Sequence, residues 1–268
     1  MDMMPRSTRA QRMDALSSMS TVAGYKAVLL AAETLPRLFP MLVTAAGTIA
    51  PSRVLIVGAG VAGLQAIATA RRLGAVVEAY DVRPAVKEEV ESLGATFVGP
   101  QLSKEETQDE QGYAKALTPE QQKKGMEMLH ERAKQADVVI TTARVPGLPA
   151  PKLIPADVVQ RMKPGSVIVD LAADMGGNCE LTQPGGTIVK HEVTILGPVR
   201  LASTVPIHAS HMYSKNITAF LLHLTKDVAI QFDPQDEITT GTCVTRDGAI
   251  VHAATRSRVE GAATAAAG

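Results

Sequence analysis

RVLIVGAGVAGLQAIATARRLGAVVEAYD, residues 53–81, decides the fold. Val54 to Val57 is an apolar run of strand type. It feeds into Gly58-Ala59-Gly60-Val61-Ala62-Gly63 and then into a helical pattern through Leu64, Ile67, Ala70 and Leu73. A second apolar run, Val76 to Tyr80, ends in an acid, Asp81. Strand, Gly-rich turn, helix, strand and acid, in that order, form the dinucleotide-binding fingerprint. Gly58 is expected to make the tight turn, Gly60 to let a pyrophosphate approach the backbone, and Gly63 to let helix and strand pack closely. Val61 lies in the same cradle, where phosphate charge meets unpaired N–H groups at a helix N-terminus. Asp81 stands eighteen positions after Gly63, where the acid that takes the adenosine ribose 2′-OH is expected. A carboxylate there repels a 2′-phosphate, so the expected cofactor is NAD(H) rather than NADP(H). Arg83, just past Val82, is a cation able to hold a 2′-phosphate and tempers that preference. A Gly-rich turn without a ligand is the alternative reading.

Outward from this stretch, strands and helices alternate. A helix is expected over 20–39, with Val22, Tyr25, Lys26, Leu29, Ala32 and Glu33 at helical spacing and Pro36 and Pro40 ending it. Pro84 starts another helix, and Thr96 to Val98 is a short strand. Residues 99–117 form a long polar loop. A helix follows from Pro119 to about Gln135, then a strand over Asp137 to Thr142. A short helix opens at Pro155, and strands are expected over Val167 to Leu171, Thr187 to Val189 and Val193 to Leu196. This pattern predicts an α/β fold: a Rossmann-type, doubly wound parallel sheet, with a remnant of a second α/β domain. The expected boundaries are 25–205 for the dinucleotide-binding domain and 1–24 for a segment on the nicotinamide side. A helix and a hairpin over 206–254 belong to an incomplete first domain, and 255–268 is a disordered tail. The helix is expected over 206–228, and the hairpin over 241–252 turns at Asp247-Gly248. Ligands of such sheets sit at the carboxyl ends of the strands, so the loops after Val57, Tyr80, Val98, Thr142 and Leu171 should converge.

The 268 residues carry no net charge, so no electrostatic footprint for nucleic acid is visible. Trp is absent and aromatics make up only 3%, so Ala, Val, Leu, Ile and Met must build the core. Cys179 and Cys243 lack metal-ligand spacing and read as reduced, buried thiols. The histidines show no metal spacing either; His208 and His211 lack a third ligand. No apolar run is expected to reach the roughly 18 residues that cross a bilayer. The Arg- and Ser-rich start resembles an organellar transit peptide, against which Asp2 and Asp14 count.

Arg6, Arg9, Gln11 and Asp14 crowd the opening segment. A guanidinium, an amide and a carboxylate so placed can orient a nicotinamide and its phosphates. Equally, Asp14 can be an N-cap for a helix starting at Ala15-Leu16. Gly112-Tyr113-Ala114-Lys115 reads as a lid over a ligand or as a surface anchor. Thr141 to Gly147, carrying Arg144, and Asp170 to Glu180, with its Gly176-Gly177-Asn178 step, leave two strands at the crevice.

RSTRAQRMDALSS (6–18), AGYKAV (23–28), FPMLVTAAGTIAP (39–51), RVLIVGAGVAGLQAIATARRLGA (53–75), YDVRP (80–84), GYAK (112–115), TTARVPG (141–147), PGSVIVDLAADMGGNCELT (164–182) and SHMYSKN (210–216) together resemble the NAD(H)-binding component of the proton-translocating transhydrogenase family. The resemblance implies that Arg6, Gln11, Asp14 and Ser17 belong to a loop beside the nicotinamide. In it, Gln11 and Asp14 place the ring for hydride transfer to NADP(H) held by another component. It also assigns Tyr113 to a mobile loop and Asp81 to the ribose. The implied partners are the NADP(H)-binding domain, the membrane proton-channel domain and a second copy in a homodimer. The implied location is peripheral, on the inner face of the bacterial cytoplasmic membrane or the mitochondrial inner membrane. The chain departs from the family in two ways: a half-domain would precede the RAQ-MD loop, and Leu usually stands where Arg144 is found. A nucleotide-binding module without turnover and an alanine-dehydrogenase-like oxidoreductase are the competing readings.

Overall fold

The computed structural model describes residues 1–100, 118–144 and 149–266. In chain order the elements are α1 (Ala15–Thr34), β1 (Leu42–Thr44), β2 (Gly47–Ile49), β3 (Arg53–Val57), α2 (Val61–Arg72), β4 (Val76–Tyr80), α3 (Lys87–Ser92) and β5 (Thr96–Phe97). These are followed by α4 (Pro119–Gln135), β6 (Val138–Thr141), α5 (Ala156–Gln160), β7 (Val167–Asp170), β8 (Thr187–Lys190) and β9 (Val193–Leu196). The last elements are α6 (Pro206–Leu224), β10 (Thr225–Lys226), β11 (Ala229–Ile230), α7 (Glu237–Thr242), β12 (Thr245–Arg246), β13 (Ala249–Ile250) and α8 (Ala253–Ala266). The chain divides into two compact units, Ser20–Thr204 and Met1–Met19 with Val205–Gly268. The opening segment thus groups with the C-terminal residues, where the sequence suggested separate stretches for the two.

In the first unit a seven-stranded sheet runs in the order β5-β4-β3-β6-β7-β9-β8. All pairings are parallel except the edge pair β8–β9. The two directions of winding part between β3 and β6, which is the switch point of a doubly wound sheet. Because side chains alternate across a strand, one sequence supplies two cores. Val54, Ile56, Val138, Ile140, Val167 and Val169 meet α1 and α2 on one face. Leu55, Val57, Val139, Ile168 and Ile195 meet Leu129 and Ala133 of α4 and Val158 and Val159 of α5 on the other. The near-continuous apolar runs of these strands are a consequence of burial on both faces.

Helix α1 begins five residues earlier than the sequence suggested and stops before Pro36. Its buried side is Val22, Ala27, Val28 and Ala31; of the residues at helical spacing Val22 is buried and Tyr25 is exposed. Small residues win because α1 lies almost against α2: a Cβ on Gly24 would stand 2.1 Å from the Ala62 carbonyl oxygen. By length and composition this helix is also apolar enough to cross a membrane, contrary to expectation. The core positions of Ala27, Val28 and Ala31 account for that composition. A second departure is the antiparallel pair β1–β2, in a stretch where no strand was foreseen. Its residues are exposed throughout, so burial periodicity gave no signal.

In the other unit, α6 ends four residues short of expectation, and β10 and β11 pair as a hairpin through Asp227 and Val228, both at positive φ. The expected hairpin at Asp247-Gly248 is present as β12–β13, with both turn residues at positive φ. The tail read as disordered from 255 is helical over Ala253–Ala266, in keeping with the helix propensity of its alanines. Met4, Ala10, Met13 and Ile238 form the small core of this unit. Ile207, Leu221, Leu222 and Ile230 remain exposed.

The α1–α2 contact yields a direct prediction. Gly24→Ala forces a methyl group against backbone that cannot swing away, and it should cost about 1–3 kcal/mol of stability. Urea unfolding followed by circular dichroism measures this, and an unchanged midpoint would show that the two helices separate at no cost.

Candidate functional site

The turn after β3 is built as its glycines require. Gly58 adopts φ +101, and a Cβ there would meet the Thr142 hydroxyl at 2.5 Å. Gly63 sits so close to the turn that a Cβ would fall 1.8 Å from the Gly58 carbonyl oxygen. At Gly60 an added Cβ meets nothing within 4 Å, so the backbone faces open space. No side chain caps the N-terminus of α2, which opens at the exposed Val61. Uncapped amides at a helix start, facing open space, are a fitting cradle for a pyrophosphate.

Register aligns the carboxyl ends around this turn: Val57 pairs with Tyr80 and Thr141, and Thr141 with Asp170. Asp81 follows β4 and is buried. One carboxylate oxygen accepts from the Ala59 N–H at 2.8 Å and from Arg83 Nη2 at 2.9 Å. The other accepts from the Arg83 N–H at 2.9 Å and from Arg83 Nε at 3.0 Å. Burial alone would push this carboxyl up. The Arg83 side chain and the Ala59 and Arg83 amides outweigh it and hold the group below the usual carboxylate range. Val82, between them, is exposed.

The loops after β6 and β7 are tied together. Asn178, fully buried, donates to the Ala143 and Pro151 carbonyls and accepts from the Ala143 N–H. Asp170 accepts from the Ala172 and Cys179 amides and from the Thr182 hydroxyl. Gly176 and Gly177, both at positive φ, turn the chain between these anchors. Arg144 donates to the Leu171 carbonyl at 3.1 Å through Nε and to Asp174 through Nη2. Cys179 is buried with its thiol pushed up by that burial, while Cys243 is only half-buried. Gly112, Tyr113, Lys115 and Val145 to Gly147 lie outside the described residues.

The opening segment belongs to the other unit. Thr8–Met13 is a 3-10 turn with Ala10 and Met13 buried, and Arg6 and Gln11 are exposed. Asp14 accepts from the Ser17 N–H at 2.9 Å and from the Ser17 hydroxyl at 2.6 Å, so the carboxylate caps α1. Sequence reasoning missed what holds the 3-10 turn. Asn216 donates to the Arg12 carbonyl at 2.9 Å, and Asp236 pairs with Arg9 at 2.8 Å. Asp236 also meets His223 Nε2 at 2.8 Å and caps α7 through Thr239. Burial pushes the Asp236 carboxyl up, but the bonds from His223, Thr239 and Arg9 hold it far below the ordinary range. Arg9 and Asp236 are too distant in sequence for any local pattern to link them.

The family model described as alanine dehydrogenase/PNT, C-terminal domain, matches residues 27–253. The chain belongs to the alanine dehydrogenase/PNT family. The first part of the NAD(P) transhydrogenase subunit alpha of Rhodospirillum rubrum is 52% identical over 257 residues, covering 95% of this chain and 67% of that protein. The crystal structure of a transhydrogenase from Sinorhizobium meliloti superposes with a TM-score of 0.81 at 44% identity, covering 93% of this chain and 66% of that one. An L-alanine dehydrogenase structure shares the fold, with a TM-score of 0.71 at 23% identity over 92% of this chain and 64% of that one. The chain therefore spans about two thirds of the length of these relatives. Within the alanine dehydrogenase/PNT family the chain is similar to the α subunits of NAD(P) transhydrogenases.

Asp236 gives a pH prediction. A carboxyl depressed in the folded state stabilises the protein above the ordinary aspartate value of 3.8, and that stabilisation fades as pH falls below it. Asp236→Ala should lower stability at pH 7 by about 2 kcal/mol. It should also flatten the loss of stability as pH falls below about 4. Parallel stability–pH curves for variant and wild type would contradict the clamp.

Proposed function

We propose that this chain binds NAD(H) and contributes it to hydride transfer with NADP(H) held by a partner domain of a proton-translocating transhydrogenase. The observation that carries the reading is the uncapped start of α2 above the open Gly60, with buried Asp81 bonded to the Ala59 amide of the same turn. On this reading Gly58, Gly60, Val61 and Gly63 cradle the pyrophosphate, Asp81 takes the adenosine ribose, and Val82, Arg83 and Arg144 border the cofactor. Tyr113 and Gly112 belong to a loop that closes on it. Arg6, Gln11, Asp14 and Ser17 serve the nicotinamide end. The bound cofactor supplies the hydride; the protein's part is to hold and aim the ring. The partners are the NADP(H)-binding and membrane proton-channel domains and a second copy of the chain, and through them the chain is peripheral at the membrane face. Titration of the 268-residue chain by NADH fluorescence should show tighter binding of NADH than of NADPH. Equal affinities would refute the role of Asp81.

Gln11 and Asp14 are expected to serve turnover more than affinity, because a misplaced ring costs rate steeply. Asp14→Asn is informative, since asparagine is as good an N-cap as aspartate and keeps α1 started. In a system reconstituted with the NADP(H) component and the remaining family segments, Asp14→Asn and Gln11→Asn should lower turnover by about tenfold, or about 1.4 kcal/mol in barrier. NADH affinity should change less. Loss of affinity in full proportion to lost turnover would reassign both residues to anchoring.

A further inference from the structure

A carboxylate offers about four acceptor positions. At Asp81 four hydrogen bonds fill them: the Ala59 and Arg83 backbone amides, and Nε and Nη2 of Arg83. The two amides are fixed by the turns they belong to. The two guanidinium bonds come from one exposed side chain, 58% accessible, in a fork that matches the carboxylate. An adenosine ribose brings two hydroxyl donors. With Arg83 in this position, neither has an acceptor left on Asp81.

We infer that Arg83 is a latch on the ribose carboxylate and the residue that sets cofactor specificity: NAD(H) recognition replaces its two guanidinium bonds with two ribose hydroxyls. This inference rests on the dinucleotide-binding reading above. An exchange of two bonds for two bonds leaves Asp81 satisfied throughout, so its burial costs nothing extra when the nucleotide arrives. The displaced guanidinium stays tethered two residues from Asp81. There it presents the planar donor set that suits a phosphate oxygen pair. The latch thus weakens NAD(H) binding by the strength of an exposed ion pair, and it lends the site a tolerance for a 2′-phosphate that Asp81 alone would deny.

The test is a double-mutant cycle on the full chain, read by NADH and NADPH fluorescence titration, with circular dichroism to confirm folding. Arg83→Gln should tighten NADH by about two- to fivefold, the range of an exposed pair. It should weaken NADPH by about tenfold or more, the loss of a charge-assisted phosphate contact. Arg83→Lys keeps the charge without the fork, and should retain most of the NADPH affinity. In an Asp81→Ala background the NADH gain from Arg83→Gln should vanish. If wild type binds NADH and Arg83→Gln binds it no better, the latch is overturned and the dinucleotide site stands. A gain that survives Asp81→Ala also overturns it. If wild type fails to bind NADH, the site reading falls, and the latch with it.

Discussion

Everything at the Gly-rich turn depends on one steric constraint: the carbonyl oxygen of Gly58 occupies the space that a Cβ at position 63 would need. Only glycine lets the first turn of α2 approach the end of β3 this closely. That approach aims the N-terminus of α2 at the carboxyl edge of the sheet, beside the last residues of β4 and β6. The same closeness recurs one layer out, where Gly24 lets α1 lie against Ala62. Two glycines therefore set the depth of the layer, and the Ala-rich helices follow from it. At such spacing a larger side chain on either helix has no room.

The turn is held from its other side by charge. Asp81 accepts the Ala59 amide, so the residue that closes β4 also fixes the middle of the Gly-rich loop. Across the switch point the Thr142 hydroxyl donates to the Gly58 carbonyl at 3.0 Å. Asp170 and Asn178 do the same work for the loops beyond, each buried and each bonded to backbone from more than one segment. Leaving any of these polar groups unpaired in so enclosed a place would cost about 1–3 kcal/mol. The loops are thus fixed by the sheet unit itself.

Much of this was legible in the sequence, for physical reasons that also explain the failures. Strands buried on both faces leave continuous apolar runs, so β3, β6 and β7 could be read directly. Positive φ at the turn of β12–β13 is announced by Asp247-Gly248. The turn of β10–β11 uses Asp227-Val228, and a β-branched residue at positive φ carries no such signal. The pair β1–β2 buries nothing, so its residues had no pattern to betray them. Helix α1 was legible as a helix but starts five residues earlier than its spacing suggested, and its buried side mixes Val22 and Val28 with small residues such as Ala27 and Ala31 while Tyr25 points outward. The tight turn at Gly58 and Gly63 and the acid that follows β4 were legible from their spacing. Asp236 and Asn216, which hold the opening segment, are more than two hundred residues away from it, and only the fold brings them there.

On the proposed reading, the satisfied and unsatisfied groups divide the labour of recognition. Asp81, Asp14 and Arg144 all have partners within the protein. A ligand gains from such groups only the difference between a new bond and the one it replaces. The amides at the start of α2 have no side-chain cap, and their gain on meeting a phosphate is offset only by the loss of water. On that reading, affinity originates at the backbone of the Gly-rich turn, whose amides suit any pyrophosphate. Discrimination belongs to the exchangeable side chains around it. On the same proposed reading, a change at Arg83 would alter which nucleotide is preferred while leaving the Gly-rich turn intact.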